Sequence, residues 1–168
     1  MKVSYFAFGS NLSTVRLKRR LPHVSLKGIA ILNRHRLCFR KNLQGESGKC
    51  DMAFTGNHED LVYGVIYLMT QPEKQVLDSF ETRGFGYLDR QVEVITADGD
   101  KLQAFTYFAD GSDEMQAPFH WYKEHVLRGA REHNFPADYV QSISAILSID
   151  DHNSNRKQKE LAIYLNWP

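Results

Sequence analysis

The sequence predicts an α+β fold: a small mixed, largely antiparallel β-sheet curled toward a barrel and flanked by helices. Three observations point there. Strand-like runs are interrupted by single helical stretches, without the regular strand-helix alternation of a parallel sheet. Turn clusters at Gly56-Asn57-His58-Glu59-Asp60 and Asp98-Gly99-Asp100 separate apolar runs of strand length. The last third changes to apolar residues at helical spacing.

Taken in order, Val3 to Phe8 is apolar and aromatic, as a buried strand requires, and Gly9-Ser10-Asn11 turns the chain. Ser13 can cap the short helix that follows, which carries Val15 and Leu17 on a modest apolar stripe before Pro22. Gly28 to Lys41 reads as two strands bent at Asn33-Arg34-His35, and the polar Asn42 to Lys49 reads as a loop. Cys50 to Thr55 and Leu61 to Met69 read as an antiparallel pair. Pro72 suits a first helical turn, Val76, Leu77 and Phe80 give an apolar stripe, and Gly84 can end the element, so Glu81 lies near a helix C-terminus. Tyr87 to Ala97 and Lys101 to Phe108 form a hairpin in which Val92 and Val94 alternate with polar neighbours. Pro118 to Asn134 and Pro136 to Leu147 read as two closing helices, each opened by its proline. Residues 150–168 form a polar, then apolar, tail that can pack on the chain or mediate an oligomer.

The chain has 168 residues, and this length fits one domain, residues 1–168, with enough buried surface to need no staples. No apolar run approaches the ~18 residues of a membrane span, and the N-terminus lacks a signal-peptide apolar stretch, so no membrane association and a cytoplasmic location are expected. Net charge is +1, which gives no global field for nucleic acid. The basic run Arg16, Lys18, Arg19, Arg20 reads as the solvated face of a short helix, because no aromatic residues are interleaved with it. Cys38 and Cys50 are too few for a disulfide framework and read as buried reduced thiols. The seven histidines form no close ligand pair, so no metal is expected.

Two segments could carry chemistry. At Phe8-Gly9-Ser10-Asn11, glycine permits close backbone approach, and amides at a helix start suit a carboxylate or oxyanion. Local features equally describe a plain tight turn with a cap, which is the commoner case. In Leu77-Asp78-Ser79-Phe80-Glu81, a carboxylate beside phenylalanines at the negative end of a helix has its charged form disfavoured, which suits a proton shuttle. Exposed glutamates at helix ends are nevertheless far commoner than catalytic ones. Tyr122 lies on an apolar stripe with Phe119 and Val126, so its ring belongs to the core and only its hydroxyl can reach a site.

Tyr5-Phe6-Ala7-Phe8-Gly9-Ser10-Asn11-Leu12, the Leu77 to Glu81 segment, Tyr87-x-x-Arg90 and the stretch from Trp121-Tyr122-Lys123 through Gly129-Ala130 together resemble the γ-glutamylcyclotransferase family, from residue 3 to about 147. The resemblance implies a small β-barrel flanked by helices, no metal and no organic cofactor. It implies a small-molecule γ-glutamyl substrate, release of 5-oxoproline, Glu81 as the general acid and base, and substrate binding by Tyr5, Phe6, Ala7, Phe8, Gly9, Ser10 and Asn11, with Tyr122 at the pocket wall. Two positions depart from the family pattern: Phe8 stands where a tyrosine is usual, and Thr82 stands where a glycine commonly follows the glutamate. Backbone contacts survive the first change, and the second is expected to act on substrate choice. The rival readings are a γ-glutamylamine or a γ-glutamyl-protected intermediate as substrate, or a glutamyl-binding module without activity. The side of the pocket facing the released group falls to the Asn42 to Lys49 loop and the final helices.

Overall fold

The computed structural model describes residues 2–41, 45–82, 87–109 and 114–165. Five strands close into a barrel in the order β1 (Lys2–Ala7), β5 (Leu61–Thr70), β2 (Ser25–Asn33), β6 (Tyr87–Thr96) and β7 (Lys101–Ala109). Every neighbouring pair is antiparallel except β1 with β7, where Tyr5 faces Phe105 in parallel. The mixed, largely antiparallel barrel is therefore the architecture, and closure leaves it no free edge.

The expected pairing of Cys50 to Thr55 with Leu61 to Met69 is not formed. β5 has both edges taken, by β1 and β2, so β4 (Lys49–Phe54) pairs instead with β3 (His35–Arg40) in a separate two-stranded sheet. The reversal from β2 to β3 is made at Arg34, whose φ of 60° lies in the left-handed region. The β6–β7 hairpin forms as expected, with Gly99 at φ 86° in its turn.

Five helices flank the sheets: α1 (Thr14–Arg20), α2 (Gln71–Thr82), α3 (His120–Glu132), α4 (Ala137–Ala145) and α5 (Ser154–Leu161). Ser13 caps α1 by accepting from the Arg16 amide at 3.3 Å. Pro118 and Pro136 stand just ahead of α3 and α4 rather than inside their first turns. The third closing helix, α5, was not expected: it is strongly polar, and it is held by the Asn153 cap, which accepts from the Arg156 amide at 3.0 Å, and by the pairs of Glu160 with Arg16 and of Arg156 with Glu46 in the body of the protein. The tail thus packs on its own chain.

The apolar stripe expected on α2 is also revised. Leu77 is buried, but Val76 and Phe80 face outward, and the face turned to the barrel carries Lys74, Leu77, Asp78 and Glu81. That spacing of three and four residues puts them on one side of the helix. Lys74 pairs with Asp78 at 2.9 Å, and Asp78 accepts from the Tyr107 hydroxyl at 2.6 Å, so polar contacts bind α2 to β7. The helix end expected at Gly84 lies outside the described residues. Among those residues no helix is long and apolar enough to cross a membrane, and the buried Cys38 and Cys50 form no disulfide.

A short 3-10 turn, Ser10–Leu12, joins β1 to α1 and rests on α3. The contact is close because α3 has glycine there: a Cβ on Gly129 would lie 2.3 Å from the Leu12 Cβ and 2.5 Å from its backbone carbon. Gly129→Ala must therefore push the turn away from α3. Urea unfolding is expected to show a loss of about 1–3 kcal/mol; an unchanged midpoint would mean that this packing does not hold the turn.

Candidate functional site

The 3-10 turn, the end of α2 and the start of α3 converge on one place. Glu81 projects from the barrel side of α2, with its side chain 16% exposed. Its Oε1 accepts from Arg20 Nη1 at 2.9 Å and from Asn11 Nδ2 at 3.0 Å. The same Asn11 amide donates to the Tyr5 hydroxyl at 3.0 Å, while Asn11 Oδ1 accepts from Arg20 at 3.3 Å. Asn11 thus links a strand, a helix C-terminus and α1 through one side chain. Arg20 stacks over Phe80 at 4.9 Å from the ring centroid.

This arrangement corrects the reading of the basic run. Arg16 and Arg20 are not solvated: their side chains are 11% and 18% exposed. Their spacing of four residues puts them on one face of α1, turned toward carboxylates that are remote in sequence, Glu160 and Glu81. Burial, and then the charge of Arg16, push the Arg20 guanidinium below its ordinary range. The charge of Glu81 is met by a guanidinium and an amide rather than left against phenylalanines.

Two cavities meet at Glu81. The inner recess, of about 30 Å³, is lined by Tyr5, Phe8, Gly9, Ser10, Asn11, Cys50, Glu81, Tyr107 and Tyr122, and it has room for a small polar group. The outer cleft, of about 390 Å³, is walled by α1, the end of α2, the start of α3, residues 46–49 and the C-terminal segment. Ser10, Glu81 and Tyr122 belong to both walls and form the neck between them.

The sequence-predicted residues divide accordingly. Tyr5, Phe8, Gly9, Ser10, Asn11 and Tyr122 line the recess with Glu81. Phe6 and Ala7 are fully buried and line neither cavity; the Phe6 carbonyl accepts from Thr106 at 2.8 Å. Gly9 serves packing, since a Cβ there would come within 3.1 Å of Cys50 Cβ. The side chain of Thr82 lies outside the described residues. Burial first, and then the charge of Glu81, push the Tyr5 hydroxyl far above its usual range. Burial likewise raises Tyr122, whose oxygen accepts from the Cys50 amide at 3.2 Å. Both phenols are protonated at neutral pH, so each can donate into the recess.

The cleft wall includes Glu46, Ser47 and Lys49 from the Asn42 to Lys49 stretch expected there, and Arg156 and Glu160 from the polar tail, which the sequence did not single out. Glu160 pairs with Arg16 and lies 3.2 Å from His125 Nε2, while His125 Nδ1 meets the Tyr164 hydroxyl at 2.6 Å. Arg156 is bound to Asp151 and Glu46, and Asp151 also accepts from Trp121 Nε1 at 2.8 Å. The Asn153 cap was the one local signal that a helix begins there.

Residues 61–143 match the AIG2-like family. The γ-glutamylcyclotransferase of Mus musculus is 30% identical over 148 residues, 84% of this chain and 77% of that protein. The Homo sapiens protein of the same name is 29% identical over 150 residues, with the same coverage. A solved γ-glutamyl cyclotransferase superposes with a TM-score of 0.84 at 26% identity, covering 96% of this chain and 99% of that one. The chain belongs to the AIG2-like, γ-glutamylcyclotransferase family.

The tail network is sensitive to acid. Burial pushes His125 down to about 4, whereas contacts with His125 and Arg16 draw Glu160 down to about 2 despite its burial. A depressed histidine contributes stability above its unfolded value, about 6.5, that is lost as pH falls toward 4; a depressed glutamate acts in the same direction at lower pH. Unfolding free energy is expected to be about 2 kcal/mol lower at pH 5 than at pH 7 on account of His125, and the His125→Gln profile should be flatter. Parallel profiles for the two proteins would show that this network does not titrate as assigned.

Proposed function

We propose that this protein closes a γ-glutamyl group to 5-oxoproline and releases the attached amine. The observation that carries the reading is the position of Glu81, a braced carboxylate at the neck shared by recess and cleft. The substrate brings its own nucleophile. Its α-amino nitrogen attacks the γ-carbonyl carbon, a C–N bond closes the five-membered ring, and the bond to the departing nitrogen breaks. Glu81 takes the proton from the attacking nitrogen and returns it to the departing one, so no net proton is gained or lost.

The rest of the site holds the geometry. The Ser10 and Asn11 amides open the 3-10 turn and have no acceptor within it, which suits them to orient the glutamyl carboxylate. Tyr5 and Tyr122 offer hydroxyl donors from the recess wall. Ring closure between groups held this way can reach effective molarities of about 10⁵–10⁸ M. The backbone contacts do not need a hydroxyl at residue 8, so Phe8 is compatible with the reaction.

Glu81→Gln keeps the size of the side chain and removes its ability to carry a proton. With γ-glutamyl-alanine as substrate and 5-oxoproline measured by mass spectrometry, kcat is expected to fall by about 10²–10⁴-fold with the thermal midpoint of a folded protein retained. Near-normal turnover by the folded variant would remove Glu81 from this role.

A further inference from the structure

Three phenols line the recess beside Glu81, and their hydrogen bonds sort them into two kinds. The Tyr5 hydroxyl accepts from Asn11 Nδ2 at 3.0 Å and the Tyr122 hydroxyl from the Cys50 amide at 3.2 Å, so each keeps its own proton to donate. Tyr107 is the reverse. Its hydroxyl donates to Asp78 Oδ1 at 2.6 Å and accepts from none of the described residues, so what it has left to offer is an oxygen lone pair. Burial, and then the bond to Asp78, push this phenol far above its usual range, so it holds its proton at neutral pH. A network behind the recess fixes the direction of that bond. Asp78 also accepts from Lys74 at 2.9 Å, and Lys74 reaches Asp89 at 3.1 Å. Asp89 is the register partner of Tyr107 in the β6–β7 hairpin. The Tyr107 ring is 5% exposed and stands edge-on to Tyr5 and to Phe105, with 5.7 Å between centroids in each case. A buried phenol whose proton is committed to a carboxylate, in a recess where the other two phenols donate, suits an N–H from outside.

We propose that Tyr107 accepts a hydrogen bond from the α-amino nitrogen of the glutamyl group, and that Asp78 is the positioning residue that keeps the phenolic proton turned away from that nitrogen. The inference rests on the cyclotransferase reading above. The amino nitrogen then lies between Glu81 and Tyr107, and its ammonium form directs one N–H to each. Once Glu81 has taken its proton, the N–H to Tyr107 remains and turns the freed lone pair to the γ-carbonyl carbon. A phenol with its proton free would instead draw that lone pair to itself, and ring closure needs the pair.

The test compares L-glutamate with glutarate, which differ only in the α-amino group, by calorimetric Kd. The unmodified protein is expected to bind L-glutamate at least about 10-fold tighter than glutarate, and Tyr107→Phe, which keeps the ring and its stacking, to cut that preference at least about fivefold. Asp78→Leu should cut it about threefold, and Asp78→Asn, which keeps an acceptor oxygen for the phenol, less than about twofold. With γ-glutamyl-alanine, Tyr107→Phe should lower kcat/KM for 5-oxoproline release about 10-fold or more. An unmodified protein that binds the two ligands equally or binds neither, or a folded Tyr107→Phe variant that keeps the full preference, would overturn the proposal. If Asp78→Leu does not fold, Tyr107→Phe decides alone. Failure of the unmodified protein to release 5-oxoproline removes the cyclotransferase reading, and the comparison of L-glutamate with glutarate still decides whether Tyr107 meets an α-amino group. Release that proceeds with the preference unmoved in Tyr107→Phe leaves that reading in place and removes this one.

Discussion

The carboxylate of Glu81 has one oxygen fixed by two donors, and the rest of the site depends on that fixation. Arg20 and Asn11 reach it from α1 and from the turn after β1, so a helix, a strand end and a second helix must all be in register for the contact to exist. A largely buried ion pair adds little stability over an apolar contact, but removing one partner leaves an uncompensated charge. The pair therefore acts as a constraint on geometry. Asn11 extends the constraint to Tyr5, and Tyr5 stacks on Phe105 at 5.1 Å across the one parallel pairing of the barrel.

The C-terminal segment completes what the barrel leaves open. The Tyr164 hydroxyl donates to the Ser13 Oγ that caps α1, and Glu160 pairs with Arg16 one turn further along the same helix. α1 is thus held at two points of one face: Arg20 pairs with Glu81 at the neck, and Arg16, one turn earlier, pairs with Glu160 in the cleft wall. The tail and the neck are thus tied to the same helix of seven residues. This coupling explains why a segment without an apolar stripe of its own is ordered on the body of the protein.

Much of the fold was legible because its signals are local. The Asp98-Gly99-Asp100 turn, the Ser13 cap and the apolar run of Val3 to Phe8 each follow from a few adjacent residues. Strand partners were not legible in the same way: β5 reads as a hairpin partner for β4, and only closure of the barrel assigns both of its edges elsewhere. The site shows the same division. The glycine turn and the glutamate at a helix end are visible as residue types, whereas the partners of Glu81 lie 61 and 70 positions away. Four basic residues in five positions look like a solvated face until the structure supplies opposite charges to two of them. α5 was hidden because its stability comes from the Asn153 cap and from Glu160, Arg156 and Asp151 contacts, not from hydrophobic spacing.

The account stands on Glu81 serving a ring that closes at the neck between recess and cleft. The most direct measurement is a crystal structure of the unmodified protein soaked with 5-oxoproline. The account predicts the lactam ring between Ser10, Glu81 and Tyr122, with its ring nitrogen within hydrogen-bond reach of the Glu81 carboxylate and its own carboxylate toward the Ser10 and Asn11 amides. A ring bound elsewhere, or bound there with its nitrogen turned away from Glu81, would contradict it.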